Sequence, residues 1–143
     1  MKKWLCRLTL LGVTAAAFFG NFEKSWNGDE RAEFWNFLLS VLYLAAWSWF
    51  LREKRSKKGA RFACLWWGLS LLGTISWLGL QYLSFPEIFI FAAWPGAFLL
   101  SQLFGLNFLF GLPYGGMYLV FLAVCVVMLL WSIRISHREI ATP

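Results

Sequence analysis

Apolar positions along the chain come in long uninterrupted stretches, not in the period-two alternation of half-buried strands or the one-faced spacing of surface helices. Residues 8–22 form a first apolar run of 15. Residues 34–51, 62–86 and 88–133 then hold 18, 25 and 46 positions without a charge. About 20 residues of helix cross the hydrocarbon core of a bilayer, so the pattern predicts an all-α integral membrane protein in one polytopic domain. At a rise of about 1.5 Å per residue the span 34–51 covers ~27 Å and just crosses, while 62–83 crosses with some tilt. The first run reaches spanning length as 4–22 when Trp4 and Leu5 extend it and Arg7 snorkels toward the headgroups. It also carries the marks of a cleavable signal: Lys2, Lys3 and Arg7 precede a short apolar core that holds Ala15, Ala16 and Ala17. Of these two readings, a retained anchor is the expectation.

The 46-residue stretch admits two arrangements, and basic residues separate them because Lys and Arg in short loops favour the cytoplasmic side. Four spans put both termini inside, with eleven of the thirteen basic residues inside and two outside; five spans would give nine and four. The expectation is therefore four transmembrane helices, the last at about 114–133, with five as the alternative. Both termini and the basic loop 52–61 are then cytoplasmic. Residues 86–110 become a re-entrant or interfacial segment broken at Pro95-Gly96, where a helix loses a donor and stiffness. Ser84 and Glu87 have capping-box spacing with Pro86 between them, which predicts a helix start near Phe85. Backbone exposed at the break cannot face lipid, so other helices, a partner or a watery cavity must cover Pro95 and Gly96. Glu87, Pro95 and Gly96 are the candidate entrance. The Met-Lys-Lys start and the inside-positive loops are compatible with a bacterial inner (plasma) membrane.

Composition strengthens the class. The chain is 60% hydrophobic, 20% aromatic and 14% charged, against about 45–50% apolar and about 25% charged in soluble domains; 143 residues offer no interior that could hide the surplus. All ten tryptophans fall near predicted span ends, as expected of aromatic belts at the headgroup level.

Candidate chemistry is sparse. At 100° per residue Glu33, Asn36, Ser40, Tyr43 and Trp47 share one face of the second span, within about 80° of arc. Trp66, Ser70, Gly73, Thr74, Trp77 and Gln81 align on the third, and Tyr114, Tyr118, Phe121, Cys125, Met128 and Ser132 on the last. Such stripes either pack helices together through hydrogen bonds or line a hydrated groove for a polar solute or a lipid headgroup. Glu33 and Glu87 have ordinary work at helix N-termini, with ion or proton coupling as the alternative. Arg52, Lys54, Arg55, Lys57, Lys58 and Arg61 hold six of the thirteen basic residues within ten positions. They are a topology signal and a candidate contact for anionic lipid, with docking to a cytoplasmic partner as the alternative; nucleic acid is not expected at a ten-residue juxtamembrane hairpin. Cys6, Cys64 and Cys125 form neither a disulfide framework nor a metal motif, and His137 stands alone. No catalytic motif and no internal repeat is found, so neither enzyme chemistry nor a cofactor is expected. Two functions remain: an accessory subunit that packs against a larger membrane protein, or a homo-oligomeric transporter or channel.

Overall fold

A computed structural model of the chain describes residues 2–27, 31–53, 57–84 and 86–138. Three long helices come first: α1 (Lys2–Asn27), α2 (Phe34–Glu53) and α3 (Lys57–Tyr82). A 3₁₀ turn over Glu87–Phe89 leads into α4 (Ile90–Leu100), a second 3₁₀ stretch spans Ser101–Leu106, and the short α5 (Asn107–Phe110) precedes α6 (Tyr114–Arg138). There is no strand among the described residues. Five helical stretches are long and apolar enough to cross a membrane: Trp4–Ser25, Phe34–Arg52, Lys58–Tyr82, Glu87–Phe110 and Gly116–His137.

Local chemistry sets the ends. The Glu33 N–H donates to Asn36 Oδ1 at 3.0 Å, three residues into the first turn of α2, so Asn36 supplies the reaching-back half of a capping box. Ser84 and Glu87 do not form the box their spacing suggested. Leu83 N–H still donates to Gly79 at 3.0 Å, and Ser84 takes the left-handed conformation (φ 52°) at the end of α3, a position usually given to glycine. The next helical turn starts at Glu87 with no side-chain cap; Phe85, where the start was expected, lies outside the described residues. At the other junction Gly111 (φ 55°) ends α5, and the Asn107 side chain clasps Leu112 through both its oxygen (2.8 Å) and its nitrogen (3.1 Å). That clasp turns the chain into α6.

The helices pack as two antiparallel pairs, α1 with α2 and α3 with α6, joined by the segment between α3 and α6. α4 lies along α3, whereas the 3₁₀ stretch lies against both α1 and α2. The segment thus passes from one pair to the other. Where it touches α3, Gly96 meets Gly73 so closely that a Cβ on Gly96 would fall onto the Gly73 backbone. Where it touches α2, a Cβ on Gly105 would fall onto the Asn36 carbonyl. Small residues permit such approach, and close van der Waals packing replaces the hydrophobic effect as the force between apolar helices in lipid.

Two expectations change here. Pro95-Gly96 does not break the helix: α4 continues through Pro95 to Leu100, and the regular helix gives way at Ser101. The pair serves instead as the crossing point on α3, since glycine removes the bulk that would hold the backbones apart. The aromatic belt is also incomplete. Trp4 and Trp35 are exposed, but Trp47 and Trp67 are each about 1% exposed. They are core residues, packed mostly edge-on or tilted against each other and against Tyr43, Phe50, Phe62 and Trp66 at centroid distances of 5.5–6.5 Å, with Trp47 and Phe62 stacked. That cluster joins α2 to α3 through side chains at the end of the bundle that carries residues 52–61.

Candidate functional site

The polar stripe of α2 meets the 3₁₀ stretch. Ser40 Oγ donates to the Gln102 carbonyl at 2.6 Å, accepts the Gly105 N–H at 3.0 Å and accepts Asn21 Nδ2 at 3.1 Å. Asn21 Nδ2 also reaches the Gln102 carbonyl at 3.2 Å, and Asn36 Nδ2 donates to the Gly20 carbonyl at 2.8 Å. α1, α2 and the 3₁₀ stretch are thereby tied at one buried point. A 3₁₀ stretch leaves its carbonyls less well satisfied than an α-helix, and Ser40 with Asn21 makes good that deficit at Gln102. Two oxygens nearby, Asn21 Oδ1 and Gln102 Oε1, are buried without a hydrogen-bond partner.

Farther along α2, Tyr43 Oη accepts Trp66 Nε1 at 2.8 Å. On α3, Ser70 Oγ returns its proton to the Trp66 carbonyl (2.9 Å) and Thr74 Oγ1 to the Ser70 carbonyl (2.8 Å), each four residues back on its own helix. The aligned face of α6 is buried: Tyr118, Phe121, Cys125, Met128 and Ser132 are all 5% exposed or less, with the Tyr118 ring stacked on Trp77 at 5.6 Å. The structure therefore brings Asn36, Ser40, Tyr43, Ser70 and Thr74 into the interior of the bundle. Gln81 is exposed and does not join them. Glu33 is also outside, with its side chain 70% exposed and paired to Lys24 Nζ at 2.6 Å. Glu87 and Pro95 are exposed, and Gly96 is buried on α3.

Of the basic residues, Arg52, Lys58 and Arg61 are exposed. Lys54 and Arg55 lie outside the described residues, as does the side chain of Lys57. The expected loop is shorter than its charge run, because α2 continues to Glu53 and α3 begins at Lys57. Lys58 and Arg61 consequently project from the first turn or two of a helix.

Sequence reasoning missed Asn21, Gln102 and Gly105. Asn21 and Gln102 are amides inside apolar runs, which is the signal that could have found them, but within those runs neither has a polar neighbour three or four residues away. It also missed a groove. α1 and α3 share no packed seam, and the groove that α1 leaves along α3 and then α4 holds two adjoining cavities of about 390 and 370 Å³. Both are lined by Leu11, Thr14 and Trp66. Arg7 and Lys58 stand at one end, beside Phe50 and Phe62, and Gln102 and Phe98 at the other.

No protein-family model, curated protein or solved structure matches the chain.

Proposed function

We propose that the protein is a non-catalytic accessory subunit of a larger membrane protein, with four spans, both termini cytoplasmic in a bacterial inner membrane, and residues 86–110 re-entrant from the outer side. The observation that supports this reading is the use made of the intramembrane polar groups. Asn21, Asn36, Ser40 and Tyr43 hydrogen-bond between elements of the bundle, and Ser70 and Thr74 bond back to their own helix, so these polar groups are occupied in holding the bundle and not in lining a path for a solute. What such a protein offers to others is its outer surface. The four-span count is supported by the basic-residue distribution and by where the segment 86–110 makes contact. Gly96 lies against Gly73 near the middle of α3, Gly105 against Asn36, and Phe108 against Phe34 at the first residue of α2. The segment therefore returns toward the end of the bundle at which α2 begins.

Of the three covers open to the segment 86–110, which are other helices, a partner or a watery cavity, the chain's own helices supply one: Ser101 to Asn107 are buried by α1 and α2. The segment needs no partner for shielding.

Purification from native membranes in mild detergent followed by native mass spectrometry tests the proposal. A stoichiometric larger membrane protein is the expected companion; a homo-oligomer with no companion would overturn it. Topology has its own test, run in a chain with Cys6, Cys64 and Cys125 replaced by Ser. Glu87→Cys and Phe110→Cys should both react with an impermeant maleimide from the outer side. Labelling of the two from opposite sides would establish five spans. The groove between α1 and α3 favours a second reading, a homo-oligomeric carrier of a polar solute or a lipid, which predicts flux in liposomes.

A further inference from the structure

We infer that the groove between α1 and α3 is a binding site for one anionic phospholipid, its phosphate held by Arg7 and Lys58 and one acyl chain laid along α1. The two adjoining cavities have different ends. At the basic end the lining includes Arg7 and Lys58, and Thr14 brings a hydroxyl-bearing residue to the same cavity. Away from that end the lining turns apolar through Leu11, Phe18 and Phe98, closing at Gln102. Neither Arg7 nor Lys58 has an acidic partner among the described residues. Two cations at the mouth of an apolar trough match a molecule that is anionic at one end and hydrocarbon for the rest.

Dimensions agree with that occupant. From Arg7 to Phe18 the trough follows eleven residues of α1, about 16 Å at the rise of an α-helix. One leaflet of the hydrocarbon core is about 15 Å deep, half of the whole. The trough thus has the length of one lipid tail, and its cations lie where that lipid's phosphate would be. Each cavity falls in the range of about 300–1,000 Å³ usual for small-molecule sites. A free phosphate or a soluble anion would leave the apolar length unused. Guanidinium suits the site because it presents several donors in a plane that matches phosphate oxygens, and the ammonium adds a second point charge. The inference holds under either reading of function, since the lipid would be a structural ligand in one and a cargo in the other.

The site differs from general attraction by the basic run. Arg52 and Arg61 are exposed and basic but do not line either cavity, so they serve as controls. The test is native mass spectrometry of the full chain released from nanodiscs that contain phosphatidylglycerol and phosphatidylcholine in equal amounts. The wild type should retain one phosphatidylglycerol per chain, with a preference of about thirtyfold, the attraction expected of two basic residues at a membrane surface. R7Q/K58Q should lose that preference, whereas R52Q/R61Q should keep it. T14W, which fills the junction of the two cavities without changing charge, should lose the bound lipid while far-ultraviolet circular dichroism remains that of the wild type. Glycerophosphoglycerol, the headgroup without chains, should not bind. Equal retention of the two lipids by the wild type, or a preference that survives R7Q/K58Q, would overturn the assignment, as would binding of the chainless headgroup at the affinity of the lipid. If T14W fails to fold, the charge pair and its control still decide.

Discussion

Gly105→Ala is the most informative single-atom change, because it adds one methyl group at the point where the 3₁₀ stretch crosses α2. The new Cβ would fall onto the Asn36 carbonyl and the adjacent Phe37 nitrogen. Both are backbone atoms inside the first turn of α2, so neither can rotate away as a side chain would. Relief requires the stretch to move off α2, which lengthens the 3.0 Å bond from the Gly105 N–H to Ser40 Oγ. Overpacking of this kind costs about 1–3 kcal/mol, and the interhelical hydrogen bond contributes about 0.6–2 kcal/mol more. Gly68 is the control, since nothing lies within 4 Å of a Cβ placed there and alanine improves a helix interior by up to about 1 kcal/mol. Thermal unfolding in one detergent, followed by tryptophan fluorescence, compares the two. Gly105→Ala should lower the Tm by on the order of 5–10 °C, at roughly 2–4 °C per kcal/mol, and Gly68→Ala should leave it unchanged or raise it. Equal Tm values for the two variants would refute the crossing geometry.

Other changes probe the same contacts. Ser40→Ala removes three hydrogen bonds at once and should cost about 2–3 kcal/mol, with faster hydrogen exchange at the Gly105 amide as its specific sign. Gly96→Val places two methyls against the Gly73 backbone and should separate α4 from α3; a variant that still elutes as a single sharp species with wild-type Tm would argue against that contact. Gln102→Leu replaces a side chain whose buried Oε1 has no partner and keeps the backbone carbonyl that Ser40 and Asn21 use, so the Tm should not fall. Lys24→Ala removes a pair that is 24% and 70% exposed on its two sides. It should change stability by less than about 1 kcal/mol, and a larger loss in the same melt would show that the pair anchors α1 to α2.

Much of the fold was legible because the relevant forces act over whole segments. An uncharged run of 18 or 25 residues has one low-energy conformation in lipid, a helix that satisfies its own backbone, and α2 and α3 follow their runs closely. The buried face of α6 was legible for a similar reason: Tyr118, Phe121, Cys125, Met128 and Ser132 recur at helical spacing and are all buried. Pair-specific contacts were not legible. Pro95-Gly96 reads as a break in isolation, and only the presence of Gly73 opposite it makes it a crossing. Tryptophans near span ends suit an interface in general, yet Trp47 and Trp67 were drawn inward because each meets the other at 5.5 Å. A single-residue preference for the headgroup level cannot encode that meeting. The groove was hidden for the same reason, since a space between α1 and α3 is a property of helices that do not touch.

The shielding of residues 101–107 changes where interaction should be sought. A re-entrant segment whose backbone was open would have pointed to a partner at the crossing itself, but Gln102 and Gly105 are already tied to Ser40 and Asn21. The polar side chains that could bind a neighbour through hydrogen bonds are largely committed to holding this bundle in one arrangement. The exposed faces of α4 and α5 are apolar, including Phe91 at 79% exposure on α4 and Leu109 at 61% on α5. Lipid can solvate such surfaces without a partner, so exposure alone does not mark an interface in a membrane. A partner that binds here must therefore gain from shape, by van der Waals fit against those faces, and not from rescue of stranded polar groups. Phe91→Ala and Leu109→Ala should then weaken association while leaving the Tm of the isolated protein unchanged, a separation that Ser40→Ala cannot give.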